Sequence, residues 1–434
     1  MDSSGVVDLL ESETGVFITG SAGTGKSYSV REWLNSTRKR VAVTATTGVA
    51  ALQIQGETLH RMTGIGNQAR PEAAKTIIRQ WHARAQADGR AADRLELLRA
   101  IDSLVVDEAS MLRRDTFELV DSVLRALRHD NRPFGGIQLV LVGDFFQLPP
   151  VVTRDDARNY PDLSRPYCFQ SKIWDGSGLE TVELTKNWRQ DDPLFNEILA
   201  GVRHGLVDER ARVAFNECLG RRPPSGVRPV KLFPHKVSVQ EENLVELIKL
   251  PGRERVIEAE FWGSAGWGEA LKREMTCEER LRIKPGSQVM MLVNDPEGAW
   301  VNGSVGRVIE IADSFIVVEL VGGKQVMVDR HTWEKSEQYL DDDGEVQKNV
   351  LASVTQWPIK LAYASTIHKI QGATLDMVDA DLRECFSPGQ AYVALSRVRS
   401  LSGLYLRGWS ESAIKSDSVV KKFYGLKAAG GEWI

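Results

Sequence analysis

The chain has 434 residues, which is enough for two or three domains with hydrophobic cores of their own. Its 42% hydrophobic and 26% charged residues are typical of a globular protein, and no apolar run reaches the ~20 residues of a membrane span. The formal net charge of −4 argues against binding DNA through an overall basic surface, although a local basic groove would serve a protein that must keep releasing its strand.

Short apolar runs separated by helical stretches predict an α/β core in the first half of the chain. The runs lie at 16–20, 41–45, 104–107 and 138–143. Because buried strands of a parallel sheet read as continuous apolar runs, this alternation predicts a parallel sheet with helices on both faces. The segment 67–100 is instead polar and rich in Arg and Ala, and it predicts a helical insertion between two of these strands.

The segment GSAGTGKS directly follows the first predicted strand and opens a helix, as a P-loop does. In such a loop the backbone N–H groups surround the phosphates, Lys26 reaches the β- and γ-phosphates, and the hydroxyl of Ser27 binds Mg²⁺. The alternative is a glycine turn with a solvated lysine, which the strand and helix flanks disfavour. The predicted ATP-binding residues of this loop are Gly20, Ser21, Ala22, Gly23, Thr24, Gly25, Lys26 and Ser27.

A threonine-rich stretch follows at 44–66. Its loops carry Thr47, Thr58 and His60, whose short polar side chains suit the phosphate oxygens of a nucleic-acid backbone. A lone loop of this kind is more often a capped turn, so the stretch by itself leaves both interpretations open.

The predicted strand at 104–107 delivers two adjacent carboxylates, Asp107 and Glu108, at the end where α/β sheets bind their ligands. Asp107 would hold Mg²⁺ through water, and Glu108 would orient and deprotonate the attacking water. The alternative is that they cap the helix that begins near Ser110. The P-loop upstream decides in favour of the catalytic interpretation.

The segment VGDFFQLPP at 142–150 follows the next predicted strand. Gln147 could contact the γ-phosphate and also face a nucleic-acid strand. Phe145, Phe146 and Pro149 could stack on bases, or they could equally belong to the core.

Two arginines complete the candidate ATPase residues. Arg189 lies in LTKNWRQ and Arg397 in AYVALSRVRS. An arginine beside the transferring phosphoryl group is worth ~10³–10⁵ in rate. The ordinary alternative for either arginine is a surface ion pair.

The chain from about 183 onward predicts a second α/β core, with strands at 230–233, 359–364 and 403–408. Between 286 and 357, short alternating segments separated by Gly, Asp and Asn are typical of a small antiparallel barrel, with an exposed turn at 341–345.

A second polar loop lies in the stretch ASTIHKIQGAT at 364–374 and offers Thr366, His368 and Lys369, with Gln371 and Gly372 after them. Hydroxyls, one histidine and one lysine suit contacts to a backbone without regard to base sequence. Two such loops, one in each core, are better explained by a shared groove than by two unrelated turns.

With these stretches in view, the chain resembles the Pif (petite integration frequency) family of superfamily 1B DNA helicases, relatives of the RecD-like helicases. The resemblance covers nearly the whole chain. It is carried, in order, by GSAGTGKS, TTGVAA with LHRMTGIG, VVDEASML, GDFFQLPPV, LTKNWRQ, VNGSVGRV, STIHKIQGATL and QAYVALSRV, and the stretch 115–138 resembles the family's signature segment.

The resemblance implies an α/β fold of two RecA-like P-loop cores in tandem, with a small helical insertion in the first and a small β-barrel insertion of the Src-homology type in the second. The implied segments are 1–66 and 101–182 for the first core, 67–100 for a wedge-like helical insertion, 183–285 and 358–434 for the second core, and 286–357 for the barrel.

The resemblance also implies an enzyme that hydrolyses ATP with Mg²⁺, moves 5′ to 3′ on single-stranded DNA and unwinds duplex or structured DNA in repair, recombination or replication. The implied ATPase residues are Lys26, Ser27, Asp107, Glu108, Gln147, Arg189, Gly372 and Arg397, with Ser27 and Asp107 as the metal ligands. The implied DNA contacts are Thr47, Thr58, His60, Met62, Phe145, Pro149, Thr366, His368 and Lys369. Met62 stands where family members often have an aromatic residue. None of the first nineteen residues is the glutamine that usually reads adenine, which leaves adenine selectivity open.

The expected partners are single-stranded DNA and tailed duplex DNA, bound by a monomer or a DNA-induced dimer that does not associate with a membrane. The four cysteines are widely spaced, which fits a reducing compartment, and a cytoplasmic protein of bacterial or viral origin is expected. Two alternatives stay open: a superfamily 1 helicase directed to RNA, and a nucleic-acid-stimulated P-loop switch that does not unwind.

Overall fold

The protein is described by a computed structural model that covers residues 3–65, 71–153, 156, 165–223, 228–233 and 237–425. The predicted domain boundary at 66–67 and the chain ends 1–2 and 426–434 lie outside the described residues.

Six parallel strands form the first sheet. They are β1 (Val16–Gly20), β2 (Val41–Ala45), β3 (Glu57–Thr58), β4 (Ser103–Asp107), β5 (Gln138–Val142) and β6 (Glu180–Leu184). The sheet order is β3-β2-β4-β5-β1-β6. All four apolar runs of the first half are strands of this sheet, which confirms the predicted parallel core.

Helices cover both faces of this sheet, because its side chains alternate between two hydrophobic layers. Val16 and Ile18 pack with Trp33 on one face, whereas Phe17 packs on the other. The helices of this half are α1 (Ser3–Glu11), α2 (Lys26–Leu34), α3 (Gly48–Gln53), α4 (Leu59–Met62), α5 (Ala74–Ala85), α6 (Gly89–Ala100), α7 (Arg114–Arg128) and α8 (Lys172–Gly176).

The polar segment after position 67 contains the helices α5 and α6. Ile77 and Trp81 of α5 and Leu95 and Leu98 of α6 are buried, and both helices contact α7. The two helices therefore pack onto the first core along one apolar side, and their charged residues are exposed except for Arg94, which is buried and lies 2.6 Å from Glu57.

The second parallel sheet has four strands. They are β7 (Val230–Phe233), β18 (Ala364–Thr366), β19 (Val378–Asp381) and β20 (Leu404–Gly408), and the sheet order is β18-β7-β19-β20. The helices of the second half are α9 (Pro193–Arg203), α10 (Glu209–Cys218), α11 (Val237–Lys249), α12 (Ala265–Glu274), α13 (Gln390–Leu395) and α14 (Ser418–Phe423).

The single strand predicted at 359–364 is two strands. Its first half is β17 (Ile359–Leu361), which pairs antiparallel with the β-rich region, and its second half is β18, which pairs parallel with β7. The chain crosses between two sheets at this point, and a continuous apolar run does not reveal such a crossing.

The β-rich region contains a five-stranded antiparallel sheet in the order β14-β13-β12-β11-β17, in which β11 is Gln288–Met291, β12 is Val305–Ile311, β13 is Ile316–Leu320 and β14 is Gln325–Val328. A two-stranded sheet of β8 (Arg255–Glu258) and β10 (Arg280–Ile283) packs against it. Leu281 and Ile283 share one hydrophobic core with Val289, Val308 and Trp357.

A long hairpin of β15 (His331–Leu340) and β16 (Val346–Gln356) extends from this region, pairs with β9 (Glu260–Gly263) and turns at the predicted 341–345. It reaches the first core. The side-chain amide of Gln338 donates to the carbonyl of Val43 and accepts from its N–H, both at 2.9 Å, and Glu337 lies 3.5 Å from Arg94 of α6. The hairpin thus joins the β-rich region to the edge of the first sheet.

No helix among the described residues combines the length and the apolar content needed to cross a bilayer. The four cysteines are free thiols, and all are buried.

Candidate active site between the two cores

A cleft of about 620 Å³ lies where the P-loop end of the first sheet meets the second core. Most of the residues predicted to bind or hydrolyse ATP line it, although they come from six separate segments of the chain. These residues are Ala22, Gly23, Gly25, Lys26, Ser27, Asp107, Glu108, Gln147, Arg189, Gly372 and Arg397.

The P-loop connects β1 to α2 through glycines in the left-handed region, with φ of 88° at Gly23 and 86° at Gly25. A Cβ atom on Gly23 would lie 2.7 Å from Cβ of Arg189, so only glycine allows this approach of the second core. The ammonium group of Lys26 donates to the carbonyls of Gly20 at 2.8 Å and Ser21 at 3.0 Å. Burial lowers the pKa of Lys26, although the charges of Asp144 and Glu108 oppose this effect.

Three predicted P-loop residues, Gly20, Ser21 and Thr24, do not line the cleft, and they instead form hydrogen bonds within the loop. The hydroxyl of Thr24 donates to the carbonyl of Ser21 at 2.9 Å, and Thr24 is buried. Their polar groups hold the loop and Lys26 in place.

The residues present fit Mg²⁺. The hydroxyl of Ser27 donates to Oδ2 of Asp107 at 3.0 Å, which brings two hard oxygen donors together beside the P-loop. Among the described residues there is no group of three or more His, Cys, Asp or Glu side chains placed to hold a metal ion by themselves. One or two protein oxygens are what Mg²⁺ takes when phosphates and water supply its remaining ligands.

Glu108 lies deep in the cleft, in a left-handed backbone conformation with φ of 54°. Its Oε2 accepts a hydrogen bond from Nε2 of Gln371 at 3.0 Å, and the same amide reaches Oε1 of Gln147 at 3.4 Å. Burial and the charge of Asp107 raise the pKa of Glu108 to about 7. A carboxyl group with this pKa can accept a proton from water near neutral pH.

Arg189 and Arg397 enter the cleft side by side. Arg189 donates to Thr374 Oγ1 at 3.0 Å and to the carbonyl of Gly372 at 3.0 Å, and Arg397 donates to the carbonyl of Val393 at 2.8 Å. Because these partners are neutral, both positive charges remain available to an anion. Burial lowers the pKa of Arg189 to about 10, and burial together with the neighbouring Arg189 lowers the pKa of Arg397 to about 9.

The hydroxyls predicted to contact a DNA strand all act in local turns. Thr47 accepts from the N–H of Ala50 at 3.2 Å and Thr58 from that of Arg61 at 3.4 Å, and each caps the start of the helix that follows it, α3 and α4 respectively. Thr366 is buried and accepts from the N–H of Lys369 at 3.2 Å. These bonds are the capped turns of the ordinary interpretation, and they leave an oxygen lone pair on each threonine for a further partner.

The other residues predicted to contact a DNA strand differ in their exposure to solvent. His368 and Lys369 are exposed, and His60 and Pro149 are half-buried. Burial lowers the pKa of His60.

Met62 and Phe145 lie in the core instead, with exposures of 0% and 2%. Phe145 packs against Phe17, Phe169 and Trp174, with ring centroids 4.8–6.0 Å apart. A base stacks only on an exposed surface, so the prediction that these two side chains bind a DNA strand is wrong. The local sequence around an apolar residue does not show whether its side chain belongs to the core or is exposed for stacking on a base.

Among the residues at or beside the cleft that the sequence does not predict as ATPase residues, Gln371 and Trp188 stand next to predicted ones. Gln371 was placed only in the strand-binding loop, yet its amide bridges Glu108 and Gln147. Trp188 is 66% exposed and lines the cleft beside Arg189. In the sequence, the position next to a predicted ATPase residue is what could have revealed both, since Gln371 precedes Gly372 and Trp188 precedes Arg189.

Comparisons with known proteins agree with this geometry. A family model described as PIF1-like helicase matches residues 5–207. The ATP-dependent DNA helicase Pif1 of Bdellovibrio bacteriovorus is 38% identical over 424 residues, which cover 98% of this chain and 91% of that relative. The human ATP-dependent DNA helicase PIF1 is 37% identical over 96% of this chain, which spans 62% of the human protein's length.

Solved structures of Pif1 helicases also match this chain over nearly its whole length. The crystal structure of Pif1 from a Bacteroides species in complex with ADP-AlF4 matches with a TM-score of 0.85 and 29% identity, over 98% of this chain and 95% of that one. The crystal structure of Bacteroides Pif1 bound to single-stranded DNA matches with a TM-score of 0.63 and 30% identity over the same shares.

Proposed function

The chain belongs to the PIF1-like helicase family, and we propose that its two cores use ATP to move along single-stranded DNA and to separate duplexes. One observation carries the proposal. Arg189 and Arg397 of the second half line the same cleft as Lys26, Asp107 and Glu108 of the first core. Hydrolysis therefore requires both cores, and the nucleotide state of the cleft governs how closely they approach.

Each ATPase residue has a chemical task in this cleft. The P-loop N–H groups and Lys26 would bind the phosphates, and Ser27 and Asp107 would hold Mg²⁺, which would supply positive charge beside the phosphate oxygens. Glu108 takes the proton of the attacking water while Gln147 and Gln371 orient it. Arg189 and Arg397 stabilise the charge that develops during phosphoryl transfer, an effect of ~10³–10⁵ in rate.

DNA would cross the two cores at the loops that follow their strands. Lys369 and His368 supply exposed polar groups, and Thr47, Thr58, His60, Pro149 and Thr366 border the same loops. Stacking is worth ~1–3 kcal/mol per base, and opening a base-pair step costs ~1.4 kcal/mol on average. Because these energies are comparable, a grip on a few nucleotides is enough to trap each newly opened base.

We assign the segments as the resemblance implies. The first core is 1–66 and 101–182, with a wedge at 67–100, and the second core is 183–285 and 358–434, with a barrel at 286–357. The two parallel sheets support the two cores, and the hydrophobic core of the five-stranded antiparallel sheet supports the barrel, although Leu281, Ile283 and Ile359 of the same hydrophobic core lie just outside 286–357. Movement from 5′ to 3′ follows from membership of the family.

The partners we propose are single-stranded and tailed duplex DNA. One solved structure that matches this chain concerns the unwinding of forked double-stranded DNA by two coordinating Pif1 helicases. This supports a dimer formed on DNA. The unpaired thiols support the reducing cytoplasm as the compartment.

The test is ATP turnover with and without single-stranded DNA, with Lys26→Ala as the control for hydrolysis by this cleft. We expect strong stimulation by DNA in the wild type and no turnover in the variant, because Lys26 is the only lysine that lines the cleft among the described residues. Equal turnover with and without DNA would favour a switch ATPase. Stimulation by RNA in place of DNA would favour an RNA-directed helicase.

A further inference from the structure

The short helix α13 touches the first core at its start. Gly389, which precedes it with φ of 75°, packs so closely that a Cβ atom there would lie 2.2 Å from the carbonyl oxygen of Gln147 and 2.6 Å from that of Phe146. No larger residue allows this approach. The start of α13 therefore rests directly on the segment that carries Gln147.

The first turn of α13 contacts the P-loop. The hydroxyl of Tyr392 accepts a hydrogen bond from the N–H of Ala22 at 2.8 Å, and both residues are buried. Burial and the charge of Asp144 raise the pKa of Tyr392 far above its usual value, so the hydroxyl stays neutral. This bond joins one core to the other, since Ala22 lies in the P-loop and Tyr392 in the second core.

The far end of α13 holds the catalytic arginine. Arg397 donates through Nε to the carbonyl of Val393, the residue after Tyr392, at 2.8 Å, and through one terminal nitrogen to the hydroxyl of Ser396 at 2.7 Å. A displacement of Tyr392 must therefore move the carbonyl that anchors Arg397.

We propose that Tyr392 is a positioning residue that couples the P-loop to Arg397. The arginine is then placed for phosphoryl transfer only when the P-loop has the conformation in which the N–H of Ala22 donates to Tyr392. The proposal rests on the proposed function. It assigns Tyr392 no contact with the nucleotide, and its effect is on the catalytic step rather than on binding.

Tyr392→Phe tests the hydroxyl, because the ring and its packing remain. The matched control is Tyr363→Phe. The hydroxyl of Tyr363 likewise accepts a backbone N–H, that of Gln288 at 3.1 Å, but Tyr363 does not line the cleft and the bond does not reach the first core. Each variant loses one buried bond to a backbone amide, and only one of them loses a bond between the cores.

The measurements are DNA-stimulated kcat, the Kd of a fluorescent ADP analogue and the unfolding temperature, for the wild type and both variants. We expect Tyr392→Phe to lose on the order of tenfold in kcat. Its ADP affinity should stay within about threefold of the wild type, because ADP does not need Arg397. Tyr363→Phe should keep both values, and the unfolding temperatures of the two variants should be similar.

Two outcomes would overturn the coupling role. One is a kcat of Tyr392→Phe no lower than that of Tyr363→Phe, and the other is a loss of ADP affinity as large as the loss of kcat, which would make Tyr392 a support for binding alone. The wild type separates this failure from failure of the proposed function. If its turnover is not stimulated by DNA, the proposed function fails, whatever the variants do.

Discussion

At the scale of single residues, the two adjacent carboxyl groups of the cleft have different tasks because their surroundings differ. Asp107 accepts hydrogen bonds from Ser27 and from the N–H of Glu108. The carboxylate of Glu108 accepts a hydrogen bond from the side-chain amide of Gln371, and the charge of Asp107 adds to the effect of burial on the pKa of Glu108. Its left-handed backbone conformation is unusual for glutamate and costs energy, which points to a functional constraint.

Glu108→Gln should nearly abolish hydrolysis, and in the wild type turnover should rise as the pH increases through about 7, because Glu108 must be unprotonated to accept a proton. The stability of the ligand-free protein should change in the opposite direction. The pKa is raised from an ordinary 4.5, so the stabilising contribution of Glu108 is complete below 4.5 and is lost as the pH rises through about 7.

Glu108→Gln should therefore unfold at a higher temperature than the wild type at pH 8, and this difference should shrink at pH 5. Thermal unfolding of both proteins at the two pH values measures it. A difference in unfolding temperature that is independent of pH would show that Glu108 does not titrate in this range.

The site residues that could be predicted are those in motifs that directly follow predicted parallel strands. The sequence predicted that Lys26, Ser27, Asp107 and Glu108 would meet, since strand ends share one edge of a parallel sheet, and the structure places them in one cleft. Gln371 could not be assigned in the same way, because its partners Glu108 and Gln147 lie more than two hundred positions away and on another core.

At the scale of elements, the loop after β5 is tied to α9 by a buried ion pair. Arg203 contacts Asp144 at 2.9 Å, and their side chains are 7% and 0% exposed. The guanidinium group also lies over the ring of Phe146, 4.8 Å from its centroid. This pair fixes the segment that presents Gln147 to the second half of the chain.

Asp144→Asn should lower the free energy of unfolding by about 3–5 kcal/mol, because it leaves Arg203 buried without its main counter-charge. The matched control is Glu258→Gln, which removes a pair with Arg280 whose side chains are both more than 60% exposed, and it should cost at most about 1 kcal/mol. Urea unfolding of the three proteins measures both values. Equal costs for the two variants would show that the pair of Asp144 and Arg203 does not hold the loop.

Element types were more predictable than their pairing. The apolar runs at 16–20 and 230–233 coincide with β1 and β7, because continuous apolar sequence is what a buried parallel strand requires. The run at 359–364 predicts one strand, although β17 and β18 belong to different sheets. The identity of a neighbouring strand is set by tertiary packing, which the local pattern does not contain.

At the scale of the whole molecule, several contacts hold the two halves around the cleft. Gln338 of the long hairpin bonds to Val43 of β2, and the hydroxyl of Tyr424 after α14 lies 2.7 Å from that of Thr19 in β1. Phe423 packs against Phe17 and Phe145 of the first core. The end of the described chain therefore returns to the first core. A movement of one core relative to the other must change contacts on both sides of the cleft.

Strand displacement tests most directly whether hydrolysis in this cleft drives movement along DNA. Equal duplexes with a 5′ tail or a 3′ tail are mixed with the protein and ATP, and release of the labelled strand is measured, with Arg397→Ala as the variant that retains the P-loop. We expect rapid separation of the 5′-tailed duplex alone, and loss of that activity in Arg397→Ala. Preference for the 3′ tail, or separation by Arg397→Ala at the rate of the wild type, would contradict the account.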